Sequence, residues 1–343
     1  MRKTTFTVMS VMVVLMALSL AFLVPSGAIT EDAATRYTDA TYQETDEDGF
    51  AEIARRELKP VAILANAAIS DVLPAEKIQP LPIDLATPGN TPIAENFTET
   101  GYHDDTIIVE MEQKRLYDSN VFIATVKIST PSQLRTAVAG DKISSTRTNH
   151  TSKITENYNG IVGVNGDYYT KTKGGVIVRQ GETFREKFSD NLDLLLIDEM
   201  GDFHILLKGV DSQKSELAAL RAEHQVVNGF FFGPGLVVDG KAREIPEKYQ
   251  FDPNAKNPRA GIAQLAPLTY AIVVVNGRTE ASAGVTMTEF ADVMMQLGAQ
   301  QAYNLDGGNS ATLAFHGAVY NDKPQAERTV TDIIYFTSAT QQK

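Results

Sequence analysis

The chain has 343 residues, of which 43% are hydrophobic, so it is long enough to bury a substantial core. Its 31 basic and 43 acidic side chains give a net charge of -12. Such a surface repels phosphate backbones and argues against nucleic-acid binding. The absence of cysteine excludes disulfides and thiolate metal sites.

Residues 1–28 have the pattern of an export signal. Arg2 and Lys3 precede a long apolar run, and small residues follow it at 26–28. The apolar run, residues 5–24, is also close to the length of a membrane span. A cleaved signal peptide and an uncleaved membrane anchor are therefore both open. Either one predicts a secreted or membrane-anchored protein that faces outside the cytoplasm, because the positive charges come first.

Residues 29–105 predict an acidic, proline-containing stalk or linker. Residues 29–49 are polar and acidic and offer little apolar surface to bury. The prolines that punctuate the following stretch are Pro60, Pro74, Pro80, Pro82, Pro88 and Pro92. No sustained hydrophobic period survives between them. The compact domain is therefore expected at residues 106–343.

Strand patterns dominate that domain. The segment "TIIVEMEQKRLYDSNVFIATVKI" predicts two strands, and "DLLLIDEMGDFHILLKG" predicts a hairpin. The run of apolar residues in "TYAIVVVNGR" predicts a buried strand.

One helix is well specified, in "GVTMTEFADVMMQLGA". Thr286 and Glu289 form a capping-box pattern at its start, and Gly298 is a natural stop. The apolar residues that share one helical face are Met287, Phe290, Val293, Met294 and Leu297. Many strands with few helices predict an α+β class with a mixed β-sheet core, as a single catalytic domain after the signal or anchor and the stalk.

Four polar clusters follow apolar segments of this domain. They are "VNGDYY" with Asn165, Gly166 and Asp167, "NPRAGIAQ" with Arg259, "VVVNGR" with Arg278, and "NLDGGNSAT" with Asn304, Asp306, Gly307, Gly308, Asn309 and Ser310. Each cluster alone also matches an ordinary turn. Together they supply carboxylates for acid, base or nucleophilic work, arginines for an anionic oxygen group and amides for hydroxyls. The paired glycines would let main-chain N–H groups approach a ligand. This combination indicates a sugar that carries a phosphate.

These motifs resemble the phosphodiester glycosidase family in their content and order. The resemblance covers roughly residues 105–340 and includes "GGVIVRQG" and the capped helix before "NLDGG". It implies an exported hydrolase that releases a sugar from a sugar-1-phosphodiester, of the N-acetylglucosamine-1-phosphate type, in envelope or extracellular polysaccharide. The chain departs from the family pattern at Asn276, where aspartate is common, and at Asn309, where glycine is common.

The resemblance implies catalytic roles for Asp306, Asp167 and Arg259. Asp306 would be the nucleophile or the base that activates water. Asp167 would be a second carboxylate or a ligand of a sugar hydroxyl, and Arg259 would hold the phosphate. The residues expected to bind substrate are Asn165, Gly166, Arg278, Asn304, Gly307, Gly308, Asn309 and Ser310.

Two other functions stay open at this point. A non-catalytic module that binds a phosphate-bearing envelope polymer would use the same arginines and amides. A divalent-metal phosphodiesterase would use Asp167 and Asp306 as metal ligands. No cofactor or metal site is assigned, because the five histidines lack the spacing of a zinc motif. The expected partner is a phosphate-linked glycan, with membrane attachment through residues 5–24 if the signal is kept.

Overall fold

The computed structural model of the chain describes residues 84–140, 142–323 and 325–340. These residues belong to one compact unit, Pro60–Lys343. The predicted export signal and most of the predicted stalk lie outside the described residues. Within the described part of the chain, none of the helices is long and apolar enough to cross a membrane.

The described residues form 21 strands, three α-helices and four short 3-10 helices. The strands are β1 (Phe97–Thr98), β2 (Gly101–Asp104), β3 (Ile107–Leu116), β4 (Ser119–Ile128), β5 (Leu134–Val138), β6 (Asn149–His150), β7 (Val162–Asn165), β8 (Gly175–Arg179), β9 (Glu182–Lys187), β10 (Leu194–Asp198), β11 (Phe203–Leu206), β12 (Val226–Phe230), β13 (Gly235–Val238), β14 (Lys241–Ala242), β15 (Arg259–Ala266), β16 (Thr269–Val275), β17 (Gln301–Asn304), β18 (Leu313–Phe315), β19 (Ala318–Val319), β20 (Thr329–Val330) and β21 (Asp332–Phe336). The α-helices are α1 (Thr151–Asn157), α2 (Val210–Glu223) and α3 (Met287–Gln296). The 3-10 helices are Ala94–Asn96, Pro131–Gln133, Tyr169–Lys171 and Gly308–Ser310.

Three larger sheets carry the fold. A nine-stranded sheet has the order β1-β2-β3-β4-β16-β15-β17-β13-β14, and two five-stranded sheets have the orders β11-β10-β12-β8-β9 and β19-β18-β7-β21-β5. The two-stranded pair β20-β6 completes the set. Many strands with three helices in one domain confirm the α+β class. The strand pairs recorded among the described residues are antiparallel, whereas the sequence predicted a mixed sheet. An alternating apolar pattern predicts a strand but does not indicate whether it pairs parallel or antiparallel with its neighbours.

Strand β16 shows why the central sheet is covered on both faces. Tyr270, Ile272 and Val274 join one apolar core, and the alternate residues Ala271 and Val273 join a second core on the other face. Successive side chains of a strand point to opposite faces, so a run of apolar residues needs cover on both. The predicted buried strand is confirmed.

Helix α3 covers the second of these cores. Its Phe290 and Met294 are fully buried there. The capping box is present: Thr286 Oγ1 accepts from Glu289 N at 3.2 Å, and Glu289 Oε2 accepts from Thr286 N at 2.8 Å. The hairpin of β10 and β11 is also as the sequence predicted.

The nine-stranded sheet begins upstream of residue 106. Strands β1 and β2 pair with each other, and β2 pairs with β3. Buried Asp104 anchors this edge, because its carboxylate accepts from Thr106 N at 2.7 Å and from Ser338 Oγ at 2.5 Å. The sequence pattern predicted these residues at the end of the stalk, since short strands with polar residues resemble linker sequence.

The predicted polar clusters meet because of strand register. Strand β15 begins at Arg259, which pairs with Val275 at the end of β16. Strand β17 ends at Asn304, which pairs with Gly261 of β15. Three polar segments therefore lie at the same end of these neighbouring strands. The end of β7 approaches them from another sheet.

Candidate active site

A cavity of about 310 Å³ opens at this end of strands β15, β16 and β17. The predicted residues that line it are Arg259, Arg278, Asn304, Asp306, Gly307, Gly308 and Asn309. Five lining residues were not predicted: Tyr168, Phe232, Phe251, Asn257 and Arg328. The cavity thus gathers one carboxyl, three guanidinium groups, three amides and three aromatic rings.

The turn after β17 is shaped by close backbone packing against Pro258. Gly308 N donates to Pro258 O at 2.9 Å, and a Cβ on Gly307 would lie 2.7 Å from the same oxygen. Gly308 also has φ +58, which glycine adopts freely. The two glycines therefore allow the "DGG" turn to lie on the "NPR" segment. The sequence indicated that the N–H groups of these glycines would face a ligand, but the Gly308 N–H is used by its bond to Pro258 O.

Asp306 is the carboxyl group of the cavity. Burial raises its pKa to about 6. A hydrogen bond from Ser310 and the positive charge of Arg328 act against that rise, while the negative charge of Asp167 adds to it. The group is therefore largely ionised at neutral pH and gains a proton in mild acid. A carboxylate with such a pKa in a cleft is suited to act as a base near neutral pH.

Asn165 positions this turn from below. Its Nδ2 donates to Asp306 O at 2.6 Å, and its Oδ1 accepts from Thr312 N at 3.1 Å. The side chain is fully buried and does not line the cavity. The structure thus places Asn165 as a positioning residue, whereas the sequence indicated a contact with substrate.

Asp167 does not line the cavity either. Its side chain is fully buried and accepts from Arg179 Nη2 at 2.8 Å, Tyr169 N at 3.1 Å and Phe231 N at 2.8 Å. Arg179 also bonds Asp332 Oδ2 through Nη2 at 2.7 Å. This buried cluster of Asp167, Arg179 and Asp332 lies beneath the segment that carries Gly166. The sequence pattern cannot show which way a side chain points, and here the carboxylate of "NGD" turns inward.

Burial raises the pKa of Asp332 to about 6, with the Arg179 charge acting against the rise and the Asp167 charge adding to it. The pKa of Arg179 rises despite its burial, because both carboxylates favour the charged guanidinium. The cluster is thus a charged network that shares one cation between two acids.

Gly166 and Ser310 lie beside Asp306 rather than in the main cavity. Both line a smaller cavity of about 20 Å³ that also touches Asp306 and Arg328. A Cβ on Gly166 would lie 2.2 Å from Asp332 Oδ2. The glycine is therefore required by the buried carboxylate beneath it.

Arg259 lines the cavity from a nearly buried position. Its Nε donates to Val285 O at 3.1 Å, and its Nη2 donates to Ala255 O at 2.8 Å. These bonds hold the guanidinium plane in place. Burial lowers the pKa of Arg259 to about 10; the charge of Asp252 opposes this, and that of Arg278 adds to it. The group remains a cation at neutral pH.

The guanidinium of Arg278 is a second cationic group, and Asn257 holds it in place. Arg278 Nε and Nη2 both donate to Asn257 Oδ1, at 3.0 and 2.8 Å. A Cβ on Gly308 would lie 3.5 Å from Arg278 Nη1, so the glycine packs against the guanidinium. A bidentate anchor of this kind fixes the direction in which the remaining N–H groups point.

An aromatic wall faces these cations. Phe232 and Phe251 stack at 4.6 Å with an interplanar angle of 5°, and Phe251 is 49% exposed. Tyr168, Phe251 and Arg278 have φ values of +65, +63 and +64. Left-handed backbone at bulky residues stores strain and is concentrated at functional sites. An exposed ring in a polar cavity is a surface on which a sugar ring can stack.

Asn304 brings a buried acceptor to the cavity. Its Nδ2 donates to Gly233 O at 2.7 Å, while no group of the described residues donates to its Oδ1. The residue is 1% exposed. An unpaired buried carbonyl is costly unless a ligand hydroxyl or water supplies the donor.

The residues that sequence reasoning missed carry different signals. Asn257 lies within the quoted "NPRAG" motif, and Tyr168 follows Asp167 directly, so neighbourhood could have indicated both. Arg328 precedes a strand without any motif around it. Only the fold brings it to Asp306.

The sequence left Asp167 and Asp306 open as metal ligands. In the structure, both oxygens of Asp167 accept protein hydrogen bonds. Among the described residues, the one group of three metal-ligating side chains that converge lies elsewhere, at Asp198, Glu199 and His224.

The sequence matches the model of a known protein family. A family model described as phosphodiester glycosidase matches residues 158–337. A prophage-derived uncharacterized protein of Bacillus subtilis (strain 168), YomE, is 35% identical over 108 residues, which are 31% of this chain and 17% of that protein. The match thus spans about a sixth of the relative's length.

A solved structure with a TM-score above 0.5 shares the fold. The catalytic domain of zebrafish N-acetylglucosamine-1-phosphodiester alpha-N-acetylglucosaminidase, auto-inhibited by its pro-peptide, is similar with a TM-score of 0.54 and 14% identity, over 73% of this chain and 87% of that chain. A hypothetical protein from Synechocystis has a TM-score of 0.47 and 16% identity, over 68% of this chain and 62% of that one.

Proposed function

This chain belongs to the phosphodiester glycosidase family, and on that basis we propose that it hydrolyses a sugar-1-phosphodiester of the N-acetylglucosamine-1-phosphate type in an envelope or extracellular polysaccharide. Family membership supports a glycosidase-like function. One observation carries the finer proposal: a buried carboxyl with a raised pKa, Asp306, shares a cavity of about 310 Å³ with three arginines.

The arginines suit the phosphodiester. Arg259 and Arg278 are held by protein acceptors, so they need little reorganisation when an anion arrives. Arg328 lies near Asp306 and adds a third positive charge. Fixed cations aimed at developing negative charge are an effective form of catalysis in a cleft shielded from water.

The aromatic wall and Asn304 suit the sugar. The exposed face of Phe251 offers an apolar surface to a pyranose ring. The unpaired Asn304 Oδ1 is an acceptor for a sugar hydroxyl or for an acetamido N–H. A site built to receive a hydrogen bond discriminates against sugars that lack the donor.

The reaction breaks the bond between the anomeric carbon and the phosphate oxygen. The bonding electrons leave with the phosphomonoester, which is a stable anion and needs little protonation. Asp306 accepts a proton from water as the water oxygen bonds the anomeric carbon, and it later releases that proton to solvent. Among the described residues, Asp306 is the carboxylate that lines the cavity, so we assign it the role of base. Direct attack of Asp306 on the anomeric carbon is the competing route.

The proposed location is outside the cytoplasm. Its support is the basic, apolar and small-residue pattern of residues 1–28. Secretion and membrane attachment through residues 5–24 are both compatible with the proposed substrate.

The test uses the full-length chain with a panel of sugar-1-phosphodiesters and measures release of reducing sugar. Asp306→Asn should abolish release, while Asp105→Asn, which removes an exposed carboxylate at the opposite end of the sheet, should leave it unchanged. Release in wild type should also survive a chelator, assayed well below the unfolding temperature.

The other outcomes favour other functions. If adding a chelator to the wild type stops the release of reducing sugar, a metal-dependent phosphodiesterase would be favoured. No release from any substrate, together with retention on a phosphate-bearing wall polymer, would favour a non-catalytic binding module.

A further inference from the structure

A second group of chemically active side chains lies away from the cavity, at one end of helix α2. Asp198 ends strand β10, Glu199 follows it in the turn, and His224 follows the last residue of α2. One ligand atom from each lies within 4.8 Å of the other two. The fold therefore brings together residues that are 25 positions apart in the chain.

Two of the separations within this group resemble those between the ligands of one metal ion. His224 Nδ1 lies 3.3 Å from Glu199 Oε1 and 3.6 Å from Asp198 Oδ2. A charge-assisted N–H···O contact is usually about 2.7–2.9 Å long. Ligands of a tetrahedral zinc ion, with bonds of about 2.0–2.2 Å, lie roughly 3.3–3.5 Å apart.

The carboxylates are already oriented by the protein. Asp198 Oδ1 accepts from Met200 N and Asp202 N, both at 2.9 Å. Its Oδ2 contacts His204 Nε2 at 2.8 Å. Glu199 Oε2 accepts from Gln225 N at 2.7 Å, which leaves Oε1 directed toward His224.

The neighbourhood gives such a site a structural purpose. Helix α2 has 14 residues, of which Gln213 and Leu217 are buried. A cavity of about 450 Å³ is lined by residues of both the helix and β11, among them Leu220 and Leu206. Apolar packing therefore secures this helix weakly.

We propose that Asp198, Glu199 and His224 bind one divalent ion of the zinc type, which fastens the end of helix α2 to the β10–β11 hairpin. Imidazole with carboxylates favours zinc and its transition-metal neighbours over calcium, which prefers oxygen ligands alone. His204 supports the site by holding Asp198 Oδ2. The metal here is separate from the proposed hydrolysis, since none of the three ligands lines the active-site cavity.

The test is calorimetric titration of the chelator-treated full-length chain with Zn²⁺ and, separately, with Ca²⁺, alongside thermal unfolding. We expect one Zn²⁺ per chain, no comparable binding of Ca²⁺, and a rise in Tm with zinc. His224→Ala and Glu199→Gln should each remove the zinc binding and the rise in Tm. His204→Ala should weaken zinc binding by about 10- to 100-fold, as loss of a group that orients a ligand does.

Glu223→Gln is the matched control, because it neutralises an exposed carboxylate next to His224 that belongs to no ligand group. It should bind zinc like the wild type. Zinc affinity that is unchanged in both His224→Ala and Glu199→Gln would overturn the proposal, as would failure of the wild type to bind zinc. Two ligand variants are used so that misfolding of one of them does not decide the result. Each variant should have the same Tm as the chelator-treated wild type.

Discussion

The side-chain amide of Asn165 donates to the main-chain oxygen of Asp306 across 2.6 Å, and this contact joins the end of β7 to the turn after β17. The two strands belong to different sheets. The position of the proposed base therefore depends on how two sheets are held together, and not on the turn alone.

Asn165→Ala should lower kcat by about 10²-fold and change KM little, because a misplaced base loses catalysis more than substrate binding. Steady-state kinetics on the cleaved sugar-1-phosphodiester would measure this split. Asn96→Ala, which removes an amide-to-carbonyl contact of the same 2.6 Å length at a remote site, should leave kcat unchanged. A rise in KM with unchanged kcat in Asn165→Ala would contradict the positioning role.

The pH dependence of kcat/KM should follow the ionisation of Asp306. Its pKa of about 6 predicts an acidic limb near pH 6, with activity rising as the carboxylate forms. Arg328→Gln should move this limb to higher pH, because the arginine charge lowers the pKa of Asp306. Arg147→Gln, which removes an exposed arginine from another surface, should leave the limb in place. A profile that is flat between pH 5 and 7 would exclude Asp306 as the base.

Asp167→Asn distinguishes a structural carboxylate from a catalytic one. The negative charge of Asp167 raises the pKa of Asp306, so its removal should shift the acidic limb of kcat/KM to lower pH while activity persists. If Asp167 instead took part in the chemistry, activity would fall as far as it does in Asp306→Asn.

Arg179→Met should destabilise the protein strongly. The change leaves Asp167 and Asp332 buried without their shared cation, and loss of one partner of a buried ion pair typically costs about 3–5 kcal/mol. Denaturant unfolding would measure the loss. Arg221→Met, which removes an exposed arginine that pairs with Glu186, is the control and should have a small effect.

Asp306→Asn should increase stability at neutral pH while it removes activity. The folded pKa of about 6 lies above the ordinary aspartate value of 3.8, so the folded state holds the proton more tightly than the unfolded chain. Stability from this group is fully present below about pH 4 and is lost as pH rises through about 6. The variant should therefore gain up to about 3 kcal/mol at pH 7 and nothing below about pH 4. An unfolding curve that shows the same gain at both pH values would contradict this linkage.

Sequence patterns predicted the parts of the fold that depend on local chemistry. The capping box at Thr286, the buried strand β16 and the hairpin of β10 and β11 follow from spacing and side-chain type, and all three are present. Strand direction and the early start of the nine-stranded sheet depend on pairing between distant segments. Local patterns do not report such pairing.

The site was predictable as a set of segments but not as a set of side chains. The motifs around Asp306 and Arg259 meet as the sequence indicated, because they leave adjacent strands. Asn165 and Asp167 lie beneath the cavity, since a strand end can turn a side chain inward or outward without any change of motif. Arg328 was absent from the prediction because a lone arginine in a polar stretch has no distinguishing sequence context.

The central claim is cleavage at the anomeric carbon by water that Asp306 activates, and hydrolysis in oxygen-18-labelled water tests it most directly. Mass spectrometry of the phosphomonoester product locates the bond that breaks. The account predicts an unlabelled phosphomonoester from wild type and no product from Asp306→Asn. A phosphomonoester that carries the label would show attack at phosphorus, and would contradict the proposed function even if sugar were released.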